Sequence, residues 1–259
     1  MIDTHAHLQD QKIENLNNVI INAKNAGVNT IVCASADLKS SYEAVEIAEK
    51  YSNIYATVGV HPHDAKSYNK QTEEEIKNLA KNKKCVAIGE IGLDYHYMFS
   101  EKEQQKDAFI KQIDLAHKLG LPVVIHTREA SGDTMEILRA NLQKLKHGVC
   151  IHCFNMSLEI LKEIMAYGFY ISVGGIVTFK NAKNVIDIVK ACDINKLMLE
   201  TDTPYLTPEP FRSKTNEPKY VPIIAQKLAD ILCMEQSEIA RITTQNANRF
   251  FNLETLKDF

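Results

Sequence analysis

Short runs of almost continuous hydrophobicity alternate with amphipathic stretches along the whole chain. Eight such runs are present: Met1–Thr4, Thr30–Ala34, Ile54–Val60, Cys85–Gly89, Leu121–Ile125, Val149–Ile151, Phe169–Val173 and Lys196–Leu199. A parallel strand that is buried on both faces requires such a run, because neither side of the strand meets water. The pattern therefore predicts eight parallel strands.

Amphipathic helical patterns fill the stretches between these runs. The clearest are Glu14–Ala26, Ser40–Lys50, Glu73–Lys81, Glu101–Leu119, Leu158–Tyr167, Val221–Leu232 and Gln236–Asn248. Thr72 is expected to cap the helix that begins at Glu73. Eight β–α units in 259 residues predict the α/β class and a single (β/α)₈ barrel of the TIM type, with residues 1–259 as one domain. An open, doubly wound sheet is the alternative.

The cysteine pattern and the absence of long apolar runs indicate a cytoplasmic protein. No run reaches the roughly 18 apolar residues that a membrane helix needs. The six cysteines are scattered, mostly within apolar runs, which favours reduced thiols over a disulfide framework. No basic and then apolar segment follows Met1, so we expect no secretory signal. We expect no membrane contact, and a monomer or a weak oligomer.

Side chains that can bind metals stand where the apolar runs end. They are His5, His7, His61, Glu90, His126, His152, Glu200 and Asp202. In a barrel of this type all strands end at the same mouth, so these residues are expected to converge there. One histidine at a strand end is usually a hydrogen-bonded histidine without a metal. Four strand ends with histidine and two with an acid favour a shared metal site.

We expect two divalent metal ions at this mouth. The first ion would be held by His5, His7, Glu90 and Asp202, and the second by Glu90, His126 and His152. Two ions about 3.5–4 Å apart lower the pKa of a shared water and clamp the attacking and leaving oxygens of a displacement. Asp202 is also placed to accept the proton of that water. Zinc, magnesium and manganese all remain open, because imidazole suits zinc while carboxylates also accept the other two ions.

Together these segments resemble the TatD family of metal-dependent deoxyribonucleases, within the amidohydrolase-like superfamily. The matching motifs include Asp3-Thr-His5-Ala-His7, Gly59-Val-His61-Pro-His63, Gly89-Glu90-Ile-Gly-Leu-Asp94, Ile125-His126-Thr-Arg128, Ile151-His152, Thr201-Asp202-Thr-Pro204 and Asn216-Glu217-Pro218. The resemblance covers residues 2–251, and it implies the metal ligands His5, His7, Glu90, His126, His152 and Asp202. It also implies that His61 faces the substrate phosphate and acts in catalysis with Glu90 and Asp202. The loop Arg212-Ser-Lys214-Thr departs from the family pattern, because one basic residue is missing.

The function predicted is cleavage of DNA phosphodiester bonds by attack of a metal-bridging water, as a 3′-5′ exonuclease on single strands or ends. An amidohydrolase or lactonase that acts on a small metabolite is the alternative, because the same metal site can attack a carbonyl carbon. His61, Arg128, Arg212 and Lys214 are expected to bind the substrate and favour phosphate. The net charge of −3 predicts no broad basic surface, so DNA would be held locally.

Several residues near these motifs have two interpretations. Arg128 either clamps a phosphate or pairs with Glu129 or Glu136 on the following helix. Tyr95 and Phe154 either stack on a base or, as loop aromatics more often do, pack against the scaffold. Asp94 either hydrogen-bonds a ligand histidine or caps the turn at Gly92.

Overall fold

The computed structural model describes residues 1–253 and contains all eight predicted strands. They are β1 (Ile2–Ala6), β2 (Thr30–Cys33), β3 (Ile54–Val58), β4 (Cys85–Asp94), β5 (Val123–Arg128), β6 (Val149–Ile151), β7 (Tyr170–Val173) and β8 (Leu197–Leu199). The strands follow one another in the sheet in chain order, from β1 to β8. This order is the one that a (β/α)₈ architecture predicts and that a doubly wound sheet does not have.

Nine α-helices are present in the described residues. They are α1 (Leu16–Asn25), α2 (Leu38–Lys50), α3 (Lys70–Leu79), α4 (Lys102–Leu119), α5 (Ser131–Ala140), α6 (Leu158–Ala166), α7 (Lys183–Ala191), α8 (Val221–Leu232) and α9 (Gln236–Phe251). None of these helices in residues 1–253 is long and apolar enough to cross a membrane.

The predicted cap of α3 at Thr72 is wrong. The helix begins at Lys70, and Asn69 is its N-cap, with a side-chain oxygen that accepts hydrogen bonds from the amides of Gln71 and Thr72. Asparagine is a stronger N-cap than threonine because its side chain reaches the free amides of the first turn more readily. Thr72 is buried inside the helix instead.

The described chain forms two compact units, of which the first comprises residues 1–33 and 152–253. In this unit β1 pairs in parallel with β2, and β7 pairs in parallel with β8. All of β1 is buried, including Asp3 and His5. Helix α9 packs on β7 through Phe250, whose ring centroid lies 5.3 Å from that of Tyr170. The polar residues of β1 therefore belong to a packed core.

The second unit comprises residues 34–151 and contains β3 to β6 in parallel pairs. Strand β4 is five residues longer than the apolar run Cys85–Gly89 predicts, and all ten of its residues are buried. It continues beside β5, with Asp94 opposite Arg128. Each unit is compact by itself, and the single domain over residues 1–259 stays a prediction.

Gly92 allows β4 to pass close to β5. Its φ of +139° is a backbone conformation that residues with a side chain rarely adopt. A Cβ at this position would lie 2.0 Å from the carbonyl oxygen of His126, its partner in the ladder. Only glycine fits there, and its presence sets the approach of Asp94 to His126.

Candidate functional site

The first unit contains a cluster of His5, His7 and Asp202. The Nε2 atom of His7 lies 3.4 Å from Asp202 Oδ1, and that of His5 lies 3.9 Å from the same oxygen. Each residue offers one ligand atom, and the three atoms lie within 4.8 Å of one another. The ring of His152 stacks on that of His5, with centroids 4.0 Å apart. Imidazole nitrogens and a carboxylate oxygen at these distances fit one divalent metal ion.

The loop after β8 holds Asp202 in an unusual backbone conformation. Its φ is +59°, a region that a non-glycine residue occupies at a cost. The backbone amide of Asp202 donates to the carbonyl of His5 at 2.9 Å. The side chain of Asn216 is fully buried and donates to the carbonyls of Thr201 and Tyr205. Asn216 thus stabilises the loop that aims Asp202 at the histidines, a role that explains the Asn216-Glu-Pro motif.

Asp202 is held as a carboxylate. Its burial opposes the charge, but a hydrogen bond from His7 and the neighbouring imidazoles of His5 and His152 outweigh burial and lower its pKa. A carboxylate that stays ionised at neutral pH can bind a cation and can accept a proton.

Glu200 is a buried acid beside His152 that the sequence placed among the strand-end side chains but not among the proposed metal ligands or catalytic residues. Its Oε1 accepts the backbone amide of Cys153 at 2.8 Å and lies 3.7 Å from Nδ1 of His152. Its Oε2 accepts a short hydrogen bond from the hydroxyl of Ser172. The one sequence feature that points to Glu200 is its position directly after an apolar run. The contacts show that Glu200 orients the chain around His152.

The second unit contains a cluster of Glu90, His61 and His126. Glu90 Oε1 lies 3.3 Å from Nε2 of His61 and 3.0 Å from Nδ1 of His126. The three ligand atoms lie within 4.8 Å of one another, and Glu90 and His126 offer lone pairs there that suit a divalent ion. Glu90 does not end its strand as predicted, because β4 continues to Asp94. His126 likewise lies inside β5.

Asp94 hydrogen-bonds His126, the first of the two roles considered for it, and the turn it caps follows it in the chain, whereas Gly92 lies inside β4. The Oδ2 atom of Asp94 lies 3.0 Å from Nε2 of His126 and 3.2 Å from Nε2 of His63. Its Oδ1 accepts the backbone amides of His96 and Tyr97, as a turn cap does. Burial opposes the charge of Asp94, but the bonds from His126 and His63 lower its pKa well below the ordinary value. A proton on Nε2 of His126 donates to Asp94 and leaves the Nδ1 lone pair for a metal.

His61 is a neutral imidazole. Burial is the largest cause that lowers its pKa, to about 4, despite the nearby carboxylate of Glu90. Its Nδ1 accepts the backbone amide of His63 at 3.1 Å, so the proton is on Nε2, on the side of Glu90. His61 therefore offers a hydrogen-bond donor and not a positive charge.

Arg128 contacts an aromatic ring. Its guanidinium carbon lies 4.8 Å from the ring centroid of Tyr97. Glu129, one of the acids considered as its partner, instead lies 2.7 Å from Nδ1 of His96.

The two basic residues of the loop after β8 are exposed and also lie over rings. The guanidinium of Arg212 is 3.9 Å from the ring centroid of Phe179, and its Nη1 donates to the carbonyl of Thr207 at 2.9 Å. The Nζ of Lys214 is 5.3 Å from the ring centroid of Phe211. Binding of substrate by Arg128, Arg212 and Lys214 stays a prediction.

The aromatic residues singled out from the sequence pack against the scaffold. Phe154 is fully buried, and the hydroxyl of Tyr95 donates to Asp133 at 2.6 Å. The exposed aromatic residues near Asp94 are Tyr97 and Phe99. Sequence patterns did not separate them from Tyr95, because exposure in a loop has no local signature.

Comparison with known proteins identifies the family. Residues 2–252 match the family model described as TatD related DNase. The chain belongs to the TatD family. The match confirms the resemblance that the strand-end motifs indicate, and it covers both units.

Two relatives and one solved structure define the similarity. A Bacillus subtilis (strain 168) protein named "Uncharacterized metal-dependent hydrolase YabD" is 44% identical over 254 residues, 98% of this chain and 99% of that protein. The Escherichia coli (strain K12) "3'-5' ssDNA/RNA exonuclease TatD" is 34% identical over 260 residues, 98% of this chain and 99% of that protein. The crystal structure of YjjV, a TatD homologue from Escherichia coli, matches with a TM-score of 0.92 and 27% identity over 97% of this chain and 98% of that one.

These similarities confirm the (β/α)₈ barrel class and establish the broad activity. The chain is a metal-dependent hydrolase of the TatD family. The carboxylate and imidazole clusters around Asp202 and Glu90 fit that dependence on metal.

Proposed function

We propose that this TatD-family hydrolase cleaves phosphodiester bonds of nucleic acid and removes nucleotides from the 3′ end of single-stranded DNA. The observation that carries the proposal is a pair of carboxylate–imidazole clusters, each fit for a divalent ion, in a chain similar along its whole length to a protein named as a single-strand exonuclease. Divalent ions offset charge on phosphoryl oxygens, which makes phosphodiesters suitable substrates for such clusters.

The proposed metal ligands are those that the family motifs imply. His5, His7, Glu90 and Asp202 would hold one ion, and Glu90, His126 and His152 the other. When bound, such ions lower the pKa of a water molecule and polarise the phosphoryl group. Each cluster within its own unit supports part of this assignment.

The protein's own groups supply the remaining chemistry. Asp202 is ionised and its carboxylate oxygens can accept a proton as the nucleophile forms. His61 carries its proton on Nε2 and can donate a hydrogen bond to a phosphate oxygen. Asp94 holds His126 in the orientation that keeps Nδ1 toward Glu90. The buried position of Glu90 and His61 limits the access of bulk water to these groups.

Arg128, Arg212 and Lys214 are proposed to bind phosphates beside the scissile bond. With a net charge of −3 the chain has no excess of positive charge to bind DNA elsewhere on its surface, so few counterions are released on binding. The log–log dependence of affinity on salt should therefore have a slope of roughly −1 to −3. Lys214→Ala should raise KM more than it lowers kcat, because a phosphate contact away from the reacting atoms binds ground and transition states alike.

The test is a panel of substrates with defined metals. Protein stripped by a chelator is reloaded with zinc, magnesium or manganese and assayed on linear and circular single-stranded DNA, duplex DNA, RNA, lactones and dipeptides. The expected result is release of mononucleotides from linear single strands, with circles resistant. Equal cleavage of circles would refute the end preference. Hydrolysis of a lactone or dipeptide without any cleavage of nucleic acid would replace the proposal by an amidohydrolase activity.

A further inference from the structure

Two aromatic rings are exposed in the segment between β4 and α4. Tyr97 is 48% exposed and Phe99 is 57% exposed. Their rings are nearly parallel, with an interplanar angle of 11° and centroids 5.5 Å apart. Large apolar side chains that stay in water beside one another commonly mark a binding surface. Parallel rings in particular suit a flat aromatic ligand, because offset stacking is a preferred geometry for aromatic pairs.

His63 holds both rings in place. Its ring meets that of Tyr97 edge-on at 5.4 Å and 89°, and that of Phe99 at 4.9 Å and 77°. The backbone carbonyl of His63 accepts the hydroxyl of Ser100 at 2.8 Å, which ties down the residue after Phe99. The pair is thus supported from one side and is a preformed surface.

The same histidine links the rings to the cluster around Glu90. Nε2 of His63 lies 3.2 Å from Asp94 Oδ2, the oxygen that also bonds His126. The ring centroids of His63 and His126 are 6.5 Å apart. One side chain therefore separates Tyr97 and Phe99 from a proposed metal ligand. A nucleotide with its phosphate at the cluster would therefore have these rings within reach of its base.

Positive charge accompanies the rings. The guanidinium of Arg128 lies over Tyr97, and Nζ of Lys66 donates to the backbone carbonyl of Phe99 at 3.2 Å. Proteins that bind single-stranded nucleic acid combine aromatic rings for the bases with cations for the phosphates. An apolar partner protein would gain nothing from these cations, whereas a polyanion with flat bases uses both features.

We propose that Tyr97 and Phe99 form a stacking platform for an unpaired base of the substrate, and that Arg128, whose guanidinium lies over Tyr97, binds the phosphate backbone. This inference rests on the proposed nuclease function, and it explains why the enzyme would prefer single strands. Every base has a flat face, so the platform tolerates any sequence but requires a base that is free of its complement. Tyr97 and Phe99 act in binding and not on the reacting atoms.

The test measures base stacking separately from cleavage. Metal-stripped protein is titrated into a short single strand that carries 2-aminopurine at its 3′ end, and quenching of the fluorescence reports stacking. The wild type should quench it. The double variant Tyr97→Leu/Phe99→Leu should bind about 5- to 100-fold more weakly and lose the quenching. The variant Tyr42→Leu is the matched control, since Tyr42 is also 48% exposed in the same unit but lies on α2 against Glu75.

Several outcomes would overturn the platform. Equal quenching by the wild type and the double variant would do so, as would the absence of quenching by the wild type. A strand whose terminal base is replaced by an abasic site should bind the wild type and the double variant equally. A remaining difference in affinity would show that the two substitutions weaken binding by some route other than stacking on that base. The swap Tyr97→Phe/Phe99→Tyr should keep the quenching, which separates loss of the rings from misfolding.

Failure of the platform and failure of the nuclease proposal have different signatures. A wild type that quenches 2-aminopurine but cleaves no nucleic acid with any metal would refute the nuclease and retain the platform. A wild type that cleaves single strands with the same KM as the double variant would retain the nuclease and refute the platform. With both proposals correct, the double variant should raise KM for single strands by about 5- to 100-fold and leave kcat within about twofold.

Discussion

Each unit buries an aspartate next to its candidate metal-binding cluster, yet the surroundings shift the pKa values of the two aspartates in opposite directions. Asp3 of the first unit accepts hydrogen bonds from the amides of His5 and Thr201 and from the Thr201 hydroxyl at 2.6 Å. Burial outweighs these neutral donors and raises the pKa of Asp3 to about 7. Asp94 of the second unit faces two imidazoles, which overcome burial and lower its pKa.

The difference separates two ways in which a buried carboxylate supports a cluster. Asp3 bonds the backbone on either side of the cluster and shapes the loop that carries Asp202. Asp94 accepts a hydrogen bond from the imidazole of His126, a proposed metal ligand, and so raises the basicity of that ring. A change at Asp94 should therefore alter metal affinity, whereas a change at Asp3 should mainly alter stability.

The largest expected effect is that of Asp202→Asn in the first cluster. An amide oxygen carries no charge and does not accept the proton, so kcat should fall about 10²- to 10⁴-fold. Metal analysis and circular dichroism establish that the ions and the fold remain. Asp230→Asn, at an exposed aspartate of the same unit that bonds Gln226, should leave kcat unchanged. A loss of only a few-fold with metals retained would make Asp202 a bystander.

Glu90→Gln should affect metal content more than any other single change in the second cluster. The proposed assignment makes one carboxylate serve two ions, so both should be lost more readily to a competing chelator. Glu74→Gln is the control, because Glu74 is an exposed residue of the same unit that pairs with Lys77. Elemental analysis that finds one ion lost and one retained would show that Glu90 does not bridge.

Asp94→Asn tests the comparison of the two aspartates directly. Loss of the charged partner of His126 should weaken metal binding about 10- to 100-fold, while saturating metal restores most of kcat. Asp3→Asn should change metal affinity by less than about threefold, since Asp3 bonds backbone and hydroxyl groups. Asp107→Asn, at an exposed partner of Lys111, is the control. Titration with a chromophoric chelator measures the metal affinity of all three variants. Equal losses of affinity in Asp3→Asn and Asp94→Asn would show that the two aspartates do not differ in their effect on metal binding.

The last expected effect does not involve activity or metal binding: it is a pH dependence of stability at Asp3. The folded state raises the pKa of Asp3 from 3.8 to about 7. Between these values the folded protein holds a proton that the unfolded chain has released, so this group lowers the free energy of unfolding as the pH rises through that window. Above it the contribution is constant.

In metal-free protein, Asp3→Asn should remove this dependence. The Tm of the variant minus that of the wild type should therefore increase from pH 4 to pH 7 and then level off. Thermal denaturation in chelator measures it, and the difference is informative even where the variant is less stable at every pH. Parallel Tm curves across the window would mean that Asp3 is not protonated in the folded state.

The strands and most helices could be predicted because the spacing of apolar residues depends only on a short stretch of sequence. The end of β4 was not predictable: the apolar run stops at Gly89, but pairing of Asp94 with Arg128 on β5 carries the strand further. When a strand continues through polar residues because a neighbouring strand pairs with them, the sequence around those residues does not reveal where the strand ends. The cap of α3 at Asn69 was missed for a smaller reason, since two good capping residues stood three positions apart.

By itself, the sequence determined the types and spacing of the strand-end side chains, and with them the family and its dependence on metal. The tertiary structure decided which of these residues share an oxygen, as His126 and His63 share that of Asp94. It also decided which aspartate is charged and that Tyr97, not Tyr95, faces solvent. The physical reason is that burial and the charge of neighbours are set by residues distant in the chain, whereas strand period and ligand chemistry belong to each residue and its nearest neighbours.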